Sequence, residues 1–404
     1  KRQAAGGRRD WKVGSSWGGQ WRAASEPGGA YMAGPPLTAR RLPKFAGTAK
    51  TARDRGFYAT PSGDSVAAEA LAPNCTAYGV RPPPTYPVHY RAVDLLENWP
   101  PDSVVVPPRH HASLCRFDWR NSVHRKQAKA FREAEVPFIV HDHPKLEKVV
   151  RDWSTIRAER DVRRSLAWAR PSRVTRQPKI IRRRRPLAGQ GRPHRSTPGH
   201  LERRLGAKAY RAERSDDNHF MYHGGTRGNL RGWTPPTDDV RMTYADWLTR
   251  ARNAYNTSIL DEHYYFRVSP PDMTTKDVPI FDGKDDVFMP EPASTKGVHC
   301  RFGYAGIIAE AHFDGSRNMV VELGGPPAEL GHFESGRRRY VMARPSECRH
   351  AYLLPKGHPS GRHSEIDWSR PVDPDKFPEW TNMMAFEVIL EPGDVLYIPS
   401  YWLH

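Results

Sequence analysis

The sequence lacks long hydrophobic runs and is poor in cysteine. No stretch of its 404 residues approaches the ~20 consecutive apolar residues of a membrane-spanning helix, which argues against an integral membrane protein. The four cysteines lie far apart without a CxxC pair: Cys75, Cys115, Cys300 and Cys348. This spacing argues against a zinc ribbon or a dense disulfide framework, and it favours a reducing compartment.

Acidic residues are also in deficit. The 45 Asp and Glu residues face 63 Lys and Arg residues, which gives a formal net charge of +18. Residues 1–125 carry 18 basic and 9 acidic side chains, residues 151–214 carry 20 and 5, and residues 215–404 carry 20 and 27. The hydrophobic content of 38% can still build a sizeable core. We therefore expect a globular domain with basic additions upstream of an acidic C-terminal half.

Two basic segments interrupt the globular pattern. Residues 1–125 are rich in Gly and Pro and predict an extension, and residues 154–215 predict an arginine-rich insertion in a domain spanning 126–404. The insertion contains the run Arg182, Arg183, Arg184 and Arg185, which we expect to contact RNA phosphates, ribosomal RNA in particular. The alternatives are a solvated tail and a solvated charged face. No zinc-finger spacing, RNP-like strand or heptad-linked basic helix indicates sequence-specific readout.

The first residue is Lys1 rather than Met. This start favours removal of an N-terminal segment such as an organellar presequence. We therefore expect a mitochondrial location, with a plastid or a nuclear and cytoplasmic location as the alternatives.

The C-terminal half predicts a mainly β fold. Thr243 is a plausible N-cap for a helix with Tyr244, Trp247, Leu248 and Ala251 on one face. Short strands separated by Gly and Pro turns are predicted at 136–140, 263–268, 302–309, 318–323, 339–343, 385–390 and 395–398. Many short strands of this kind are typical of a jelly roll.

Three residues form a candidate metal site. In a strand, positions i and i+2 face the same side, so His312 and Asp314 can offer an imidazole and a carboxylate to one ion. His404 follows a turn and a buried strand and can supply a second imidazole. Two histidines and one carboxylate are the ligand set of non-haem Fe(II) oxygenases.

The same residues carry a resemblance to a known family. His312-Phe313-Asp314 with Asn318 four residues on, and the ending Pro392-Gly393-Asp394 through Tyr401-Trp402-Leu403-His404, resemble the JmjC (cupin-type) 2-oxoglutarate oxygenases, most of all the factor-inhibiting-HIF-like asparaginyl hydroxylases. The resemblance covers about 126–153 and 215–404. It implies a double-stranded β-helix with flanking helices, Fe(II) held by His312, Asp314 and His404, and 2-oxoglutarate as cosubstrate.

The sequence departs from this family at the cosubstrate anchor. The family's anchoring lysine corresponds to Arg338, and a threonine that binds the same carboxylate corresponds to Ala309. A guanidinium keeps the charge but has a different shape. Tyr265 and Asn318 remain as further expected cosubstrate contacts.

These departures leave two functional hypotheses. The favoured one is a structural subunit of a large organellar, mitoribosome-like ribonucleoprotein that contacts RNA and neighbouring subunits, with a degenerate oxygenase site in which binding of Fe(II) and 2-oxoglutarate is left open. The alternative is an active Fe(II)/2-oxoglutarate-dependent protein hydroxylase, for which the intact triad argues. His404 ends the sequence, so we also expect its imidazole to be poorly fixed by backbone pairing.

Overall fold

The computed structural model describes residues 69–71, 75, 78–103, 106–153, 200–224, 233–256, 262–324 and 336–404. Within these ranges the strands are β1 Glu69–Leu71, β2 Tyr90–Arg91, β3 Arg109–His111, β4 Arg116–Asp118, β5 Phe138–His141, β6 Tyr210–Ser215, β7 His219–Phe220, β8 Asp238–Met242, β9 His263–Val268, β10 Cys300–Phe302, β11 Ile308–Ala309, β12 Asn318–Val321, β13 Arg338–Met342, β14 Met384–Leu390 and β15 Val395–Ile398. The helices are α1 Ala92–Asn98, α2 Ser122–Glu133, α3 Pro144–Trp153, α4 His200–Leu205 and α5 Tyr244–Asn256.

Local chemistry explains where the longer helices begin. Thr243 and Asp246 form a reciprocal cap on α5, because Thr243 Oγ1 accepts from the Asp246 amide at 3.1 Å and Asp246 Oδ2 accepts from the Thr243 amide at 3.2 Å. Asn121 caps α2 by accepting from the Val123 amide at 2.9 Å. The helix predicted after Thr243 is therefore confirmed, together with its start signal, and it spans Tyr244–Asn256.

Two sheets frame the candidate metal site. One has the strand order β12-β15-β5-β4, and the other has the order β13-β14-β2. The β12–β15 pair is antiparallel, with Asn318 opposite Ile398, and β13 and β14 are antiparallel with Arg338 opposite Leu390. Gly393 makes the tight β14–β15 turn at φ 96°, a conformation that favours glycine. The mainly β jelly-roll architecture predicted from the sequence is confirmed.

A further sheet of order β10-β9-β6-β8 lies against α5. Trp247 of the helix and Phe266 of β9 belong to its apolar core, and both are almost fully buried. The predicted strand 302–309 is wrong as a single element, since Cys300–Phe302 and Ile308–Ala309 are separate strands with a turn between them. Gly303 and Gly306 occupy that break.

The packed domain includes part of the predicted extension. Strand β4 pairs in parallel with β5, and β2 pairs with β14, so each of these two strands extends a sheet of the domain. Tyr86, Leu95 and Phe117 are each at most 2% exposed. A disulfide also joins Cys75 to Cys115, a pair that the sequence spacing did not predict. The apolar pattern here is short and broken by prolines, which is why composition alone suggested an extension.

The predicted insertion is likewise shorter than 154–215 at its C-terminal side. Residues 200–215 contain α4 and β6, and β6 pairs with both β8 and β9. Arg182, Arg183, Arg184 and Arg185 lie outside the described residues. In the described part of the chain, no helix has the length and apolarity needed to cross a membrane.

Candidate metal centre

The three predicted metal ligands converge. Each of His312, Asp314 and His404 offers one ligand atom, and these atoms lie within 4.8 Å of one another. His312 and Asp314 follow β11, and His404 follows β15. The i, i+2 spacing places the first two ligands on the same side of the chain, as the sequence predicted.

Backbone pairing places the two histidines opposite each other on adjacent chain segments. The His312 amide donates to the His404 carbonyl at 3.0 Å, and the His404 amide donates to the His312 carbonyl at 2.8 Å. The Tyr401 amide donates to the Asp314 carbonyl at 2.8 Å. The expectation that His404 would be poorly fixed is therefore wrong, because the segment bearing the first two ligands supplies its pairing partner.

Hydrogen bonds select the tautomer of both rings. The Nδ1 of His312 lies 2.8 Å from the Glu310 carbonyl, and the Nδ1 of His404 lies 3.0 Å from the Trp402 carbonyl. Because a carbonyl oxygen only accepts, each Nδ1 carries the proton and each Nε2 keeps its lone pair. Such backbone contacts orient a metal-binding imidazole.

The protonation states also suit a metal. Burial and the neighbouring His404 and His363 rings lower the pKa of His312 to about 3, and burial lowers the pKa of His404. Burial raises the pKa of Asp314, but the Asn318 hydrogen bond and the nearby histidines outweigh it and hold that pKa below its usual value. Near neutral pH the site therefore presents two neutral imidazoles and one carboxylate.

Two residues on the loop before Ile366 complete the surroundings of the triad, and neither was predicted from the sequence. His363 stacks on His312 with ring centroids 4.9 Å apart, and Arg362 Nη1 lies 2.8 Å from Asp314 Oδ1. Arg362 has φ 84°, which is unusual for a residue with a side chain. No motif in the sequence marks this loop, so residue patterns could not have found it.

The predicted cosubstrate residues are divided between two places. Asn318 donates from Nδ2 to Asp314 Oδ2 at 2.9 Å, so it supports a metal ligand. Tyr265 is buried and, with Tyr340 and Glu322, raises the pKa of Arg338 against the opposing effect of burial. Arg338 Nε lies 3.9 Å from Glu322 Oε2. Binding of a cosubstrate by Arg338, Tyr265 and Asn318 stays a prediction.

Tyr340 connects the arginine to the triad. It lies two residues after Arg338 on β13, and its ring centroid is 6.5 Å from that of His404. The i, i+2 relation to Arg338 was the available sequence signal, and it was missed. The arrangement places the Tyr340 phenol in contact with the Arg338 guanidinium and its ring near His404.

A second histidine–carboxylate cluster lies close by. His219, Glu310 and Asp367 also bring ligand-type atoms within 4.8 Å of one another. Sequence reasoning missed this cluster because its members are 57 or more positions apart in the chain, and no local spacing joins them.

Comparison with known proteins identifies a family and several relatives to which this chain is similar. Residues 125–404 match the model of a family described as a cupin-like domain. The tRNA wybutosine-synthesizing protein 5 of Danio rerio is 27% identical over 176 residues, covering 40% of this chain and 48% of that protein. The Jumonji C domain-containing protein 5 of Drosophila melanogaster is 26% identical over 105 residues, 25% of this chain and 22% of that protein.

A third relative is the lysine-specific demethylase JMJ30 of Arabidopsis thaliana, 25% identical over 140 residues, 31% of this chain and 28% of that protein. The chain thus spans less than half the length of each of these relatives.

Proposed function

Because this chain belongs to the cupin-like, JmjC-type domain family, we propose that it is an Fe(II)- and 2-oxoglutarate-dependent oxygenase that hydroxylates a macromolecule. The observation that carries the proposal is the convergence of His312, Asp314 and His404 within 4.8 Å. The resemblance to the asparaginyl hydroxylases in particular remains a prediction.

The donor set fits Fe(II). Two neutral imidazoles and a carboxylate on one side of a site are the ligands of the non-haem iron oxygenases. When bound, the iron would supply the redox chemistry that activates oxygen at the expense of 2-oxoglutarate. The chain's own residues orient the ligands. The Glu310 and Trp402 carbonyls accept the Nδ1 protons of His312 and His404, and Asn318 orients the carboxylate of Asp314.

Arg338 is the proposed anchor for the distal carboxylate of 2-oxoglutarate. Its guanidinium stays charged because Tyr265, Tyr340 and Glu322 outweigh the effect of burial on its pKa. Ala309 has no hydroxyl to assist, so the phenols of Tyr265 and Tyr340 are the proposed additional donors to the carboxylate. Glu322 opposes binding of an anion, which predicts weaker cosubstrate binding than a site without this acid would have.

The substrate is proposed to be a macromolecule on two grounds. The relatives' names place them in tRNA modification and lysine demethylation. Arg362 beside Asp314 is 41% exposed at the side chain and Tyr401 is 51% exposed, so polar and aromatic groups close to the triad are accessible to a large partner. A protein side chain and an RNA base are both compatible with these contacts.

The test is turnover by the purified chain. Succinate should form from 2-oxoglutarate when Fe(II) is supplied, and His312→Ala should reduce it to background. Arg338→Gln should raise the 2-oxoglutarate concentration needed for half-maximal turnover, whereas Arg338→Lys should retain most of the binding. If wild-type protein forms no more succinate than His312→Ala, the oxygenase proposal fails.

A second proposed role, as a structural RNA- and protein-contacting subunit of an organellar ribonucleoprotein, is favoured by the charge distribution. Residues 151–214 carry 20 basic and 5 acidic side chains. Deleting 176–195 should flatten the salt dependence of RNA binding without unfolding the barrel. An unchanged salt dependence would remove the support for this role.

A further inference from the structure

His219 lies at the centre of the second histidine–carboxylate cluster, whose other members are Asp102, Glu310 and Asp367. The ring Nδ1 is 2.5 Å from Glu310 Oε1, and Nε2 is 3.3 Å from Asp102 Oδ1. Asp367 Oδ1 lies 4.0 Å from Nδ1. The side chains of His219, Glu310 and Asp367 are 6%, 7% and 12% exposed, so solvent screens these contacts little.

This geometry identifies a cation rather than a metal ligand. A neutral imidazole has one donor and one acceptor nitrogen, whereas both nitrogens of His219 face carboxylate oxygens, which accept. The Ser369 hydroxyl also lies 3.3 Å from Nε2, but it donates its proton to Asp367 Oδ1 at 2.6 Å and therefore offers the ring an acceptor as well. Protonation of both nitrogens satisfies both contacts and leaves no lone pair for an ion. The neighbouring acids also outweigh burial and raise the pKa of His219 to about 11, in agreement with this charge state.

Glu310 connects the cluster to the metal centre. Its main-chain carbonyl accepts the Nδ1 proton of His312 at 2.8 Å, and its amide donates to the Phe220 carbonyl at 3.0 Å. Its side chain is held by His219 on β7, which pairs in parallel with β11. The side chain of Glu310 therefore contacts the His219 imidazolium, while its main-chain carbonyl orients the His312 ring.

We propose that His219 is a positioning residue for the metal centre, which fixes Glu310 so that the Glu310 carbonyl holds His312 with Nε2 directed at the ion. This inference rests on the proposed function for its metal. The protonation of His219 and the tautomer of His312 can nevertheless be measured in the metal-free protein. Removing the imidazolium would leave a buried carboxylate uncompensated, so the Glu310 side chain would have to move and would no longer fix the position of its carbonyl.

The test compares metal binding in matched variants, with Co²⁺ as the probe. His219→Gln should weaken Co²⁺ binding by ~10–100-fold, the usual effect of removing a partner that orients a ligand. His143→Gln is the control, because His143 is also a buried histidine, and its ring packs beside Trp119 and Phe288. The double variant His219→Gln/Glu310→Gln should recover part of the loss, because its buried amides carry no uncompensated charge.

Ring ¹⁵N spectra of the metal-free protein supply a readout that a purely structural role would not move. In the wild type, His219 should show two protonated nitrogens and His312 a single proton on Nδ1. In His219→Gln, His312 should instead show a mixture of its two neutral tautomers. Absence of Co²⁺ binding by the wild type would refute the metal proposal while these spectra still test the positioning role.

Three results would overturn the positioning role. The first is a singly protonated His219 ring. The second is an effect of His219→Gln on Co²⁺ affinity no larger than that of His143→Gln. The third is a second equivalent of bound Co²⁺ that His219→Gln removes, which would make the cluster a metal site.

Discussion

The triad and the His219 cluster share one short stretch of chain, yet they hold their histidines in opposite charge states. His312 and His404 donate from Nδ1 to main-chain carbonyls, and burial with neighbouring imidazoles lowers the pKa of His312 to about 3. His219 faces carboxylates at both nitrogens, and they raise its pKa to about 11. Residues 310–314 contribute to both sites.

The comparison shows that residue type alone does not identify a ligand. Both groups contain histidine and carboxylate atoms within 4.8 Å of one another. A ring whose second nitrogen meets a carbonyl keeps a lone pair for a metal, whereas a ring between two carboxylates becomes a counter-ion. The partner of each ring nitrogen therefore decides the role.

The largest expected effect is loss of the triad carboxylate. Asp314→Ala should abolish Co²⁺ binding, reducing the stoichiometry from one ion per chain to none, because it removes a ligand rather than one of the outer contacts that cost ~10–100-fold. The His219 cluster stays intact in this variant. A retained equivalent of Co²⁺ by titration would show that the second cluster also binds metal and would break the comparison.

The next effect is on the pH dependence of stability. For His219 the folded pKa of about 11 exceeds the unfolded value near 6.5, so its stabilisation is complete below pH 6.5 and is lost as the pH rises toward 11. His143, whose pKa burial lowers to about 4, behaves in the opposite way and loses stability as the pH falls from 6.5 toward 4.

The free energy of unfolding, measured by chemical denaturation at a series of pH values, would separate the contributions of His219 and His143. His219→Gln should flatten the alkaline limb by more than about 1.4 kcal/mol, the equivalent of one pKa unit. It should also change the acid limb, because burial raises the pKa of Asp102 and the hydrogen bond from His219 is among the contacts that outweigh burial and lower that pKa. His143→Gln should flatten the acid limb and leave the alkaline limb unchanged. An alkaline limb that His219→Gln does not flatten, or that His143→Gln flattens equally, would contradict the assigned charge states.

Much of the metal centre was predictable from local sequence. The i, i+2 pair of His312 and Asp314 uses strand geometry, and the segment leading to His404 combines a glycine turn with a buried strand. Such signals are local, so they survive without knowledge of the tertiary structure. The strand predicted over 395–398 and the helix predicted after Thr243 also rest on local patterns, and both match the structure.

The remaining features depend on contacts distant in the chain. Asp102, His219 and Glu310 meet only when β7 pairs with β11 and the loop after α1 folds over them. Strand β4 has only three residues, of which Phe117 alone is apolar and buried, and its place in the sheet is set by pairing with β5. The extent of the packed domain could not be read from composition, because its first elements are stabilised by partners far along the sequence.

A smaller effect is expected at the residue that supports Asp314. Asn318→Ala removes the donor to Asp314 Oδ2 and should weaken Co²⁺ binding by ~10-fold. Asn382→Ala is the matched control, since its exposed amide also donates to a carboxylate, Glu379 Oε2 at 3.2 Å. The two variants binding Co²⁺ equally well would mean that Asn318 does not orient the ligand.

The smallest effect is expected at Asp102, the outer acid of the His219 cluster. Its side chain is 23% exposed and lies 3.3 Å from Nε2, so water can replace part of the contact while Glu310 keeps its shorter bond to Nδ1. Asp102→Asn should therefore cost about 0.5–1.5 kcal/mol in the free energy of unfolding, the usual range for one hydrogen bond. The free energy of Co²⁺ binding should change by no more than about 0.5 kcal/mol, because the bond from His219 to Glu310 is retained. A loss of Co²⁺ affinity as large as that of His219→Gln would show that Asp102, and not the bond to Glu310, sets the position of His312.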